Sequence, residues 1–451
     1  MSWADPERPG DAPRVAVPPP LLPGVVLYAP DGPKSRVLNA FADALAARGF
    51  KVAGVVIDTL YDADGNKVGL DLIDLARARR LPYARPETRG IEACGIKIGR
   101  WVLDPKTVEE GERAIRAAAT SDADLIVIDK FGPLEGRGAG FAPGLADALG
   151  SDRPVLIAAR SEFLDGWDAF AGRPTVALRP TLDDLWRWWG PYRLYDDLAR
   201  GVADAPARRV VLGLNWTLVE GPEGCGVAHS PARDAPGCRP VENAGGYVGT
   251  SLKTLAQLST SWNPFEAALG LAAINAHYNR PGAVPAGDDA NGLELFAALP
   301  GRKLVVGRFP EQARRMPDAV VIERLPAAGE FPAHAADWIL PRAEAVAITA
   351  SALGNLTLPG ILERTWGARV ALIGPGTPLT ARLHAYGIEW LSGLVIEDAD
   401  AAARAVAEGG AVQALKRCGR MASVLRPRAA QDARDHGATA PAQEARAAPR
   451  P

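Results

Sequence analysis

Apolar residues run unbroken in two stretches of the chain and alternate with polar ones in the stretch between. GVVLY (24–28), KVAGVVID (51–58), DLIVID (124–129) and PVLIAA (154–159) are short apolar runs closed by turn residues, and the helical-looking VLNAFADALAARG follows the first. Strands buried on both faces of a parallel sheet read this way, so residues 24–172 predict an α/β layer. RRVVLGLNWTLVE and GCGVAHS alternate like half-exposed strands, and they stand between an aromatic helix, TLDDLWRWWGPYRLYDDLARGV, and the long helical tract SLKTLAQLSTSWNPFEAALGLAAINAHYN. Strands followed by helices predict an α+β unit over 180–290. Over 291–426 unbroken runs return in KLVVG, AVVIE, AVAIT, RVALIG and WLSGLVIE, which predict five parallel strands in a Rossmann-like plan.

The remaining segments, 1–23 and 427–451, are rich in Pro or in Ala, Arg and Pro, and are expected to be disordered tails. At 451 residues, two or three domains are expected. A formal charge of −2 with scattered Arg gives no electrostatic case for nucleic acid or an anionic membrane. No apolar run is long enough to span a bilayer and no leader is visible, so a soluble cytoplasmic protein is expected, one that could form a homo-oligomer. Four cysteines, Cys94, Cys225, Cys238 and Cys418, are too few and too spread for a disulfide framework.

YAPDGPKSR, between the first strand and its helix, invites comparison with a phosphate-binding loop. Lys34 and Ser35 stand where such a loop needs its cation and its magnesium-binding hydroxyl. Tyr28 and Pro33 occupy the two glycine places, and proline removes a backbone N–H donor from the anion nest. Asp129 ends a buried strand, as a magnesium-holding acid does, but the next residue is Lys130 where many hydrolases carry a second acid. DADGN (62–66) reads as a hairpin turn and not as a calcium loop. This block resembles the archaeal-type P-loop nucleoside-triphosphatases, and more closely an uncharacterised relative associated with molybdenum genes. VVLYAPDGPKS, GFKVAGVVIDTLYDADGNKVGLDLIDL, GIKIGRWVLDP and DLIVIDKFGPLEGRGAGF carry the likeness. It implies a degenerate P-loop-like fold whose anion or nucleotide site includes Lys34, Ser35, Asp129 and Arg137, with Mg²⁺.

In GCGVAHSPARDAPGC, the side chains of Cys225, His229 and Cys238 suit a zinc-like or copper-like ion, with Glu223 and Asp234 nearby. The spacing matches no standard zinc module. On a strand, Cys225 and His229 would share a face. His277, His334, His384 and His436 form no local cluster.

In the last block, three loops at strand ends are small and polar: VGRFP, TASALGNLT and GPGTPLT. Arg308, Glu323, Asn355, Thr357, Gly374 and Thr377 there outline a ligand crevice for an oxyanion or phosphate. The absence of G-x-G-x-x-G after KLVVG argues against dehydrogenase chemistry. GLNWTLVE, GVAHS, LKTLAQLSTSWNPFEAALGLAAINAHYN, GRFP, VVIERLP, ITASALGNLTLPGILE, VALIGPGTPL and YGIEWLSGLVIED together resemble the "putative heavy-metal chelation" family, over Arg208 to Arg426. That resemblance implies an enolase-N-terminal-like domain followed by a Rossmann-like domain. The tryptophans of TLDDLWRWW are expected to pack helices or a dimer contact and not to stack on bases.

The expectation is a three-domain accessory protein that binds a phosphate-bearing or oxyanion ligand, together with a transition or heavy metal of unknown identity, in molybdenum or metallocofactor handling. Its partners would be the small anion and metallocofactor assembly proteins, with neither nucleic acid nor membrane. Whether it is an enzyme stays open, with binding favoured. The alternatives are a Mg²⁺-dependent nucleoside-triphosphatase driving metal transfer and a non-catalytic scaffold.

Overall fold

A computed structural model describes residues 16–29, 34–87, 96–232, 235, 237–284, 292–309 and 312–427. Its first sheet holds nine strands: β1 (Gly24–Tyr28), β2 (Val52–Tyr61), β3 (Lys67–Asp74), β4 (Arg79–Pro86), β5 (Ile96–Ile98), β6 (Trp101–Leu103), β7 (Leu125–Phe131), β8 (Val155–Arg160) and β9 (Val176–Leu178). They lie in the order β5-β6-β4-β3-β2-β7-β8-β1-β9. The β2-β7-β8-β1-β9 half is parallel, and β3, β4, β6 and β5 extend it antiparallel. DADGN is indeed the turn of the β2–β3 hairpin, where Asp62 accepts the backbone N–H groups of Asp64 (3.0 Å) and Asn66 (2.7 Å). Beyond this hairpin, the strands β4 to β6 and β9, which lies past the boundary expected at residue 172, are not anticipated by the sequence reading. Their sequences, such as RRLPYARP, lack a continuous apolar run.

The period of two sorts the strand residues onto two cores. Leu125 and Val127 face one side with Val26, and Ile126 and Ile128 face the other with Val25. Helix α1 (Lys34–Ala46) covers the first side through Leu38, Phe41 and Leu45; α2 (Pro105–Thr120) and α3 (Ala142–Gly150) cover the second through Ile115 and Leu145.

The aromatic segment forms α4 (Leu182–Trp189) and, beyond a short turn, α5 (Leu194–Arg200). It joins the three sheets and does not offer a stacking surface. Trp186 meets Phe41 edge-on at 5.2 Å and Tyr386 at 5.7 Å, and Trp189 meets Phe50 at 5.4 Å. The Trp188 indole donates to the Leu22 carbonyl (2.9 Å), and the Ala16 N–H donates to Thr260 (2.6 Å). Residues 16–23 are therefore docked, a correction to the tail expected over 1–23, because a buried indole N–H needs an acceptor. Residues 1–15 and 428–451 lie outside the described residues.

The second sheet is antiparallel: β10 (Arg209–Leu212), β11 (Trp216–Glu220) and β12 (Cys225–His229). Helix α6 (Pro264–Tyr278) packs on it. Asn263 caps that helix through the Phe265 N–H (3.2 Å), Pro264 opens it, and Ala267 to Ala276 are buried on every side. A helix apolar all round is a core helix. It approaches so closely that a Cβ on Gly226 would lie 2.1 Å from the Ala276 nitrogen.

The third sheet adds β13 (Lys303–Val306), β14 (Val320–Glu323), β15 (Phe331–Pro332), β16 (Ala345–Thr349), β17 (Arg369–Ile373), β18 (Ile388–Ile396) and β19 (Gly419–Leu425), in the order β15-β14-β13-β16-β17-β18-β19. The five expected strands are parallel. Two more appear at the edges, a short parallel β15 and an antiparallel β19. The half-exposed pattern of GRMASVL hid β19.

Segments that flank the first and third sheets meet at Asp197, on α5. Its fully buried carboxylate takes hydrogen bonds from the guanidinium groups of Arg48 and Arg382 (the latter at 2.5 Å) and from the Tyr386 hydroxyl (2.9 Å). Arg48 also lies over the Trp186 ring at 4.6 Å.

Candidate anion site at the strand ends of the first sheet

In an open parallel sheet, ligands collect beyond the carboxyl ends of the strands. The first sheet has a cavity of about 390 Å³ there, lined by Tyr28, Ile57, Thr59, Lys130 and Arg160 from the parallel strands. Lys67, Leu70 and the β5–β6 turn, with Arg100 and Trp101, close it from the antiparallel side. Among the described residues four cations line it and no carboxylate does, though one of the four, Arg160, pairs with Glu162 at 3.2 Å.

Local structure explains this gathering. Tyr28 and Arg160 are paired neighbours across β1 and β8. Between Asp129 and Phe131 the register with β8 slips, and the residue at the slip is Lys130. A bulge of this kind re-aims one side chain at a strand end. Lys67 and the Arg100 guanidinium lie 5.1 and 5.0 Å from the centre of the Trp101 ring, within cation–π range.

Two acids of this region, Asp129 and Glu135, lie beneath the surface. Asp129 is fully buried, is absent from the cavity lining, and accepts the Ile57 N–H at 3.3 Å, prolonging the β2–β7 ladder. Glu135 is buried and accepts N–H groups of Gly132 (2.9 Å) and Phe141 (3.3 Å); burial pushes its carboxyl above the ordinary range. Gly140, at φ +62°, keeps that carboxylate in place, since a Cβ there would come 2.4 Å from Oε1. Tyr83 stacks on Phe141, and its hydroxyl is pushed up by burial and by the charges of Glu135 and Asp129. Arg137 is exposed on a turn and is absent from the cavity lining. Lys34 and Ser35 open α1, but their side chains lie outside what is described, as does the whole of Asp234.

The other two expected sites do not assemble. Among the described residues, no three His, Cys, Asp or Glu side chains come together as a metal would require. Cys225 lies in an apolar cluster with Trp216, Leu218 and Leu394, and burial pushes its thiol up to about 12. His229 meets Trp216 edge-on at 5.6 Å, and desolvation lowers its imidazole. Cys238 donates to the Ala232 carbonyl at 3.2 Å. Cys225, His229 and Cys238 therefore make no ligand set. Alternation along β12 was legible, but not the depth of the core beneath Cys225.

In the third sheet, Glu330 holds Arg308 through two bonds (2.6 and 3.1 Å). Glu323 accepts the Arg324 N–H at 2.8 Å, and Asn355 accepts the Thr357 N–H (3.1 Å) and hydroxyl (2.7 Å). Thr377 is wholly buried, and the loop from Gly374 to Leu379 is docked on α6. Asn275 donates to Gly376 O (2.9 Å), Asn279 donates to Thr377 O (2.9 Å), and the Leu379 N–H returns to Asn279 (2.8 Å). The predicted crevice residues thus bond within their own loops or across a domain junction.

Lys67, Arg100, Trp101 and Arg160 escaped sequence reasoning. Residues 67, 100, 130 and 160 share no local pattern, and only strand pairing brings them together.

Comparison with known proteins adds the following. Residues 24–188 match the family described as "Protein of unknown function (DUF2478)". Residues 195–278 (DUF4213) and 291–425 (DUF364) match families each described as "Putative heavy-metal chelation". Over 164 residues the chain is 30% identical to "Molybdenum import ATP-binding protein ModC 2" of Bradyrhizobium diazoefficiens, covering 36% of this chain and 18% of that protein. It is 32% identical to "Nucleoside-triphosphatase THEP1" of Thermofilum pendens, covering 27% of this chain and 65% of that protein. With the Methanothermobacter thermautotrophicus protein of the same name the figures are 34%, 29% and 71%. Among solved structures, a DUF364 protein from Desulfitobacterium hafniense is 30% identical, with a TM-score of 0.47, over 52% of this chain and 98% of its own.

Proposed function

We propose that this chain, whose residues 195–278 and 291–425 match the DUF4213 and DUF364 "Putative heavy-metal chelation" families and whose first domain belongs with the THEP1 nucleoside-triphosphatases, is an accessory protein that grips a phosphate-bearing or oxyanion ligand without efficient turnover. The observation that carries this reading is the first-sheet cavity, lined among the described residues by Lys67, Arg100, Lys130 and Arg160 and by no carboxylate. Ionised donors bind phosphate oxygens strongly, and a cation-lined cleft concentrates anions. Hydrolysis needs more: a group that orients or deprotonates water and a metal bridging the phosphates. Here Lys130 stands beside Asp129, and Asp129 bonds to backbone.

The family description implies a heavy metal. Described His, Cys, Asp and Glu side chains do not fit one, so no step is assigned to it. The link to molybdenum handling rests on the similarity to the ATP-binding protein of molybdenum import. An oxyanion of a metal would be met by cations, the chemistry this cavity offers, and not by thiolates.

Titration calorimetry with ATP, together with a phosphate-release assay, tests the reading. The expected result is saturable binding, lost in a Lys130→Ala/Arg160→Ala double variant, with negligible phosphate release. Brisk Mg²⁺-dependent release would instead support the second reading, a nucleoside-triphosphatase, which the likeness to the THEP1 proteins favours.

A further inference from the structure

Residues 16–23, AVPPPLLP, form a strap that is tied down at both ends. The Ala16 N–H donates to the Thr260 carbonyl at 2.6 Å, the Leu22 carbonyl accepts the Trp188 indole at 2.9 Å, and the Pro23 carbonyl accepts the Val176 N–H at 2.9 Å. Between these ties Pro18, Pro19 and Pro20 hold φ at about −65°, and Val17, Pro18 and Pro19, each preceding a proline, are kept out of the helical region. The stretch is therefore a short polyproline helix, with three residues per turn. Burial follows that period. Pro18 and Leu21 are half-buried, with Leu21 packed on the core, while Val17, Pro19, Pro20 and Leu22 are exposed. One ridge of the strap faces the protein, and two, Val17 with Pro20 and Pro19 with Leu22, face solvent.

The bond from Ala16 to Thr260 sets this strap beside an outward-facing tryptophan. Trp262 is 50% exposed, although Ser261 and Asn263 on either side of it are buried. The turn that presents it is firmly held: the Asn263 N–H donates to Ser261 Oγ (3.1 Å), Asn263 Oδ1 accepts the Phe265 N–H (3.2 Å), and the Asn263 amide donates to the Arg239 carbonyl (3.2 Å). Val17 is 82% exposed, so strap and tryptophan do not cover one another within one chain. A polyproline ridge and an aromatic ring are the two halves of one recognition mode, in which prolines pack on aromatic side chains. A face that carries both halves is complementary to itself, and a two-fold axis closes such a contact between two copies.

We infer that this face joins two copies of the chain, with Trp262 of each packed on the outward ridges of the other's strap. The inference is independent of the anion reading above. The strap is already ordered, so it loses little freedom on docking. The contact falls at the small end of specific interfaces, so the dimer should exchange with monomer on dilution.

Sedimentation velocity on the full chain over a concentration series tests this. The expected result is a monomer at low concentration that gives way to a dimer. Trp262→Ala, and separately Val17→Ser/Pro20→Ser, should each weaken the dimer about tenfold or more, and Trp262→Phe should keep most of it. Thermal midpoints should be unchanged in all three, since these side chains are exposed. Each of the first two variants spoils both contacts of its own dimer. In an equimolar mixture of them, one contact carries both lesions and the other pairs an intact strap with an intact tryptophan. Mixed dimers should therefore form more tightly than those of either variant alone. A chain that stays monomeric throughout overturns the inference, as does a dimer indifferent to both variants. A dimer that both variants weaken but mixing does not restore overturns it too, because strap and tryptophan would then not face each other.

Discussion

Asp197→Asn changes a carboxylate to an amide of the same shape at the point where segments flanking the first and third sheets meet. The wild-type carboxylate is fully buried between two guanidinium groups whose side chains are only 17% and 21% exposed, and it also accepts the Tyr386 hydroxyl. Removing its charge leaves Arg48 and Arg382 facing each other in a site of low dielectric. The amide can place only one oxygen against the donors that two oxygens now satisfy. Breaking a buried ion pair from one side costs about 3–5 kcal/mol, whereas replacing the whole group with apolar side chains is often neutral. Asp197→Asn should therefore lose about 3–5 kcal/mol, and the triple variant Arg48→Met/Asp197→Leu/Arg382→Met should recover most of it. Urea unfolding followed by tryptophan fluorescence is suited to the measurement, because Trp186 and Trp189 pack against this junction. The wild-type transition should be single, and in Asp197→Asn the junction should part first. A loss under 1 kcal/mol, or a triple variant less stable than Asp197→Asn, would refute the reasoning.

Glu135→Gln should cost about 1–3 kcal/mol at neutral pH in a thermal-shift or urea assay, since an amide can accept only one of the two N–H bonds the carboxylate takes. Burial raises the Glu135 pKa, so its contribution is full below the ordinary carboxyl range and is lost as pH rises through the shifted value. Across that window the wild-type midpoint should fall more than the variant's. His384 donates Nδ1–H to the Ile388 carbonyl (2.8 Å) and burial lowers its pKa, so its contribution is present above about pH 6.5 and lost as pH falls through the lowered value. His384→Gln should flatten that part of the stability profile. Iodoacetamide at mildly alkaline pH should label Cys238 and spare Cys225 by peptide mapping, and Cys225→Ser/Cys238→Ser should leave the metal content of purified protein unchanged.

The parallel strands were readable because each is buried on both faces, which leaves an unbroken apolar run such as LIVID or AVAIT. The antiparallel extension was not, because Arg79, Arg80 and Arg85 interrupt β4 and reach Glu110, Asp58 and Asp71 on other segments. The polar loops of the third sheet misled for a related reason. Small hydroxyl and amide residues after a strand serve equally to hold a ligand or to dock a neighbouring domain, and only the positions of Asn275 and Asn279 decide between these. Lys130 was noticed as the lack of an acid. Its place at a register slip, which turns the lack into a binding group, depends on pairing with β8 that no local pattern encodes.

Helix α1 spans about 20 Å from the carboxyl-end side of β1 to the vicinity of Arg48, which grips Asp197 and Arg382. The three sheets are consequently poor candidates for separate expression or transplantation. A fragment beginning at α4 would carry Asp197 and Arg382 without their third partner and would bare Trp186 and Trp189, which Phe41 and Phe50 now cover. Shortening or lengthening α1 by one residue would rotate its far end by roughly 100°, the turn per residue of an α-helix, and should unlatch a junction remote from the edit.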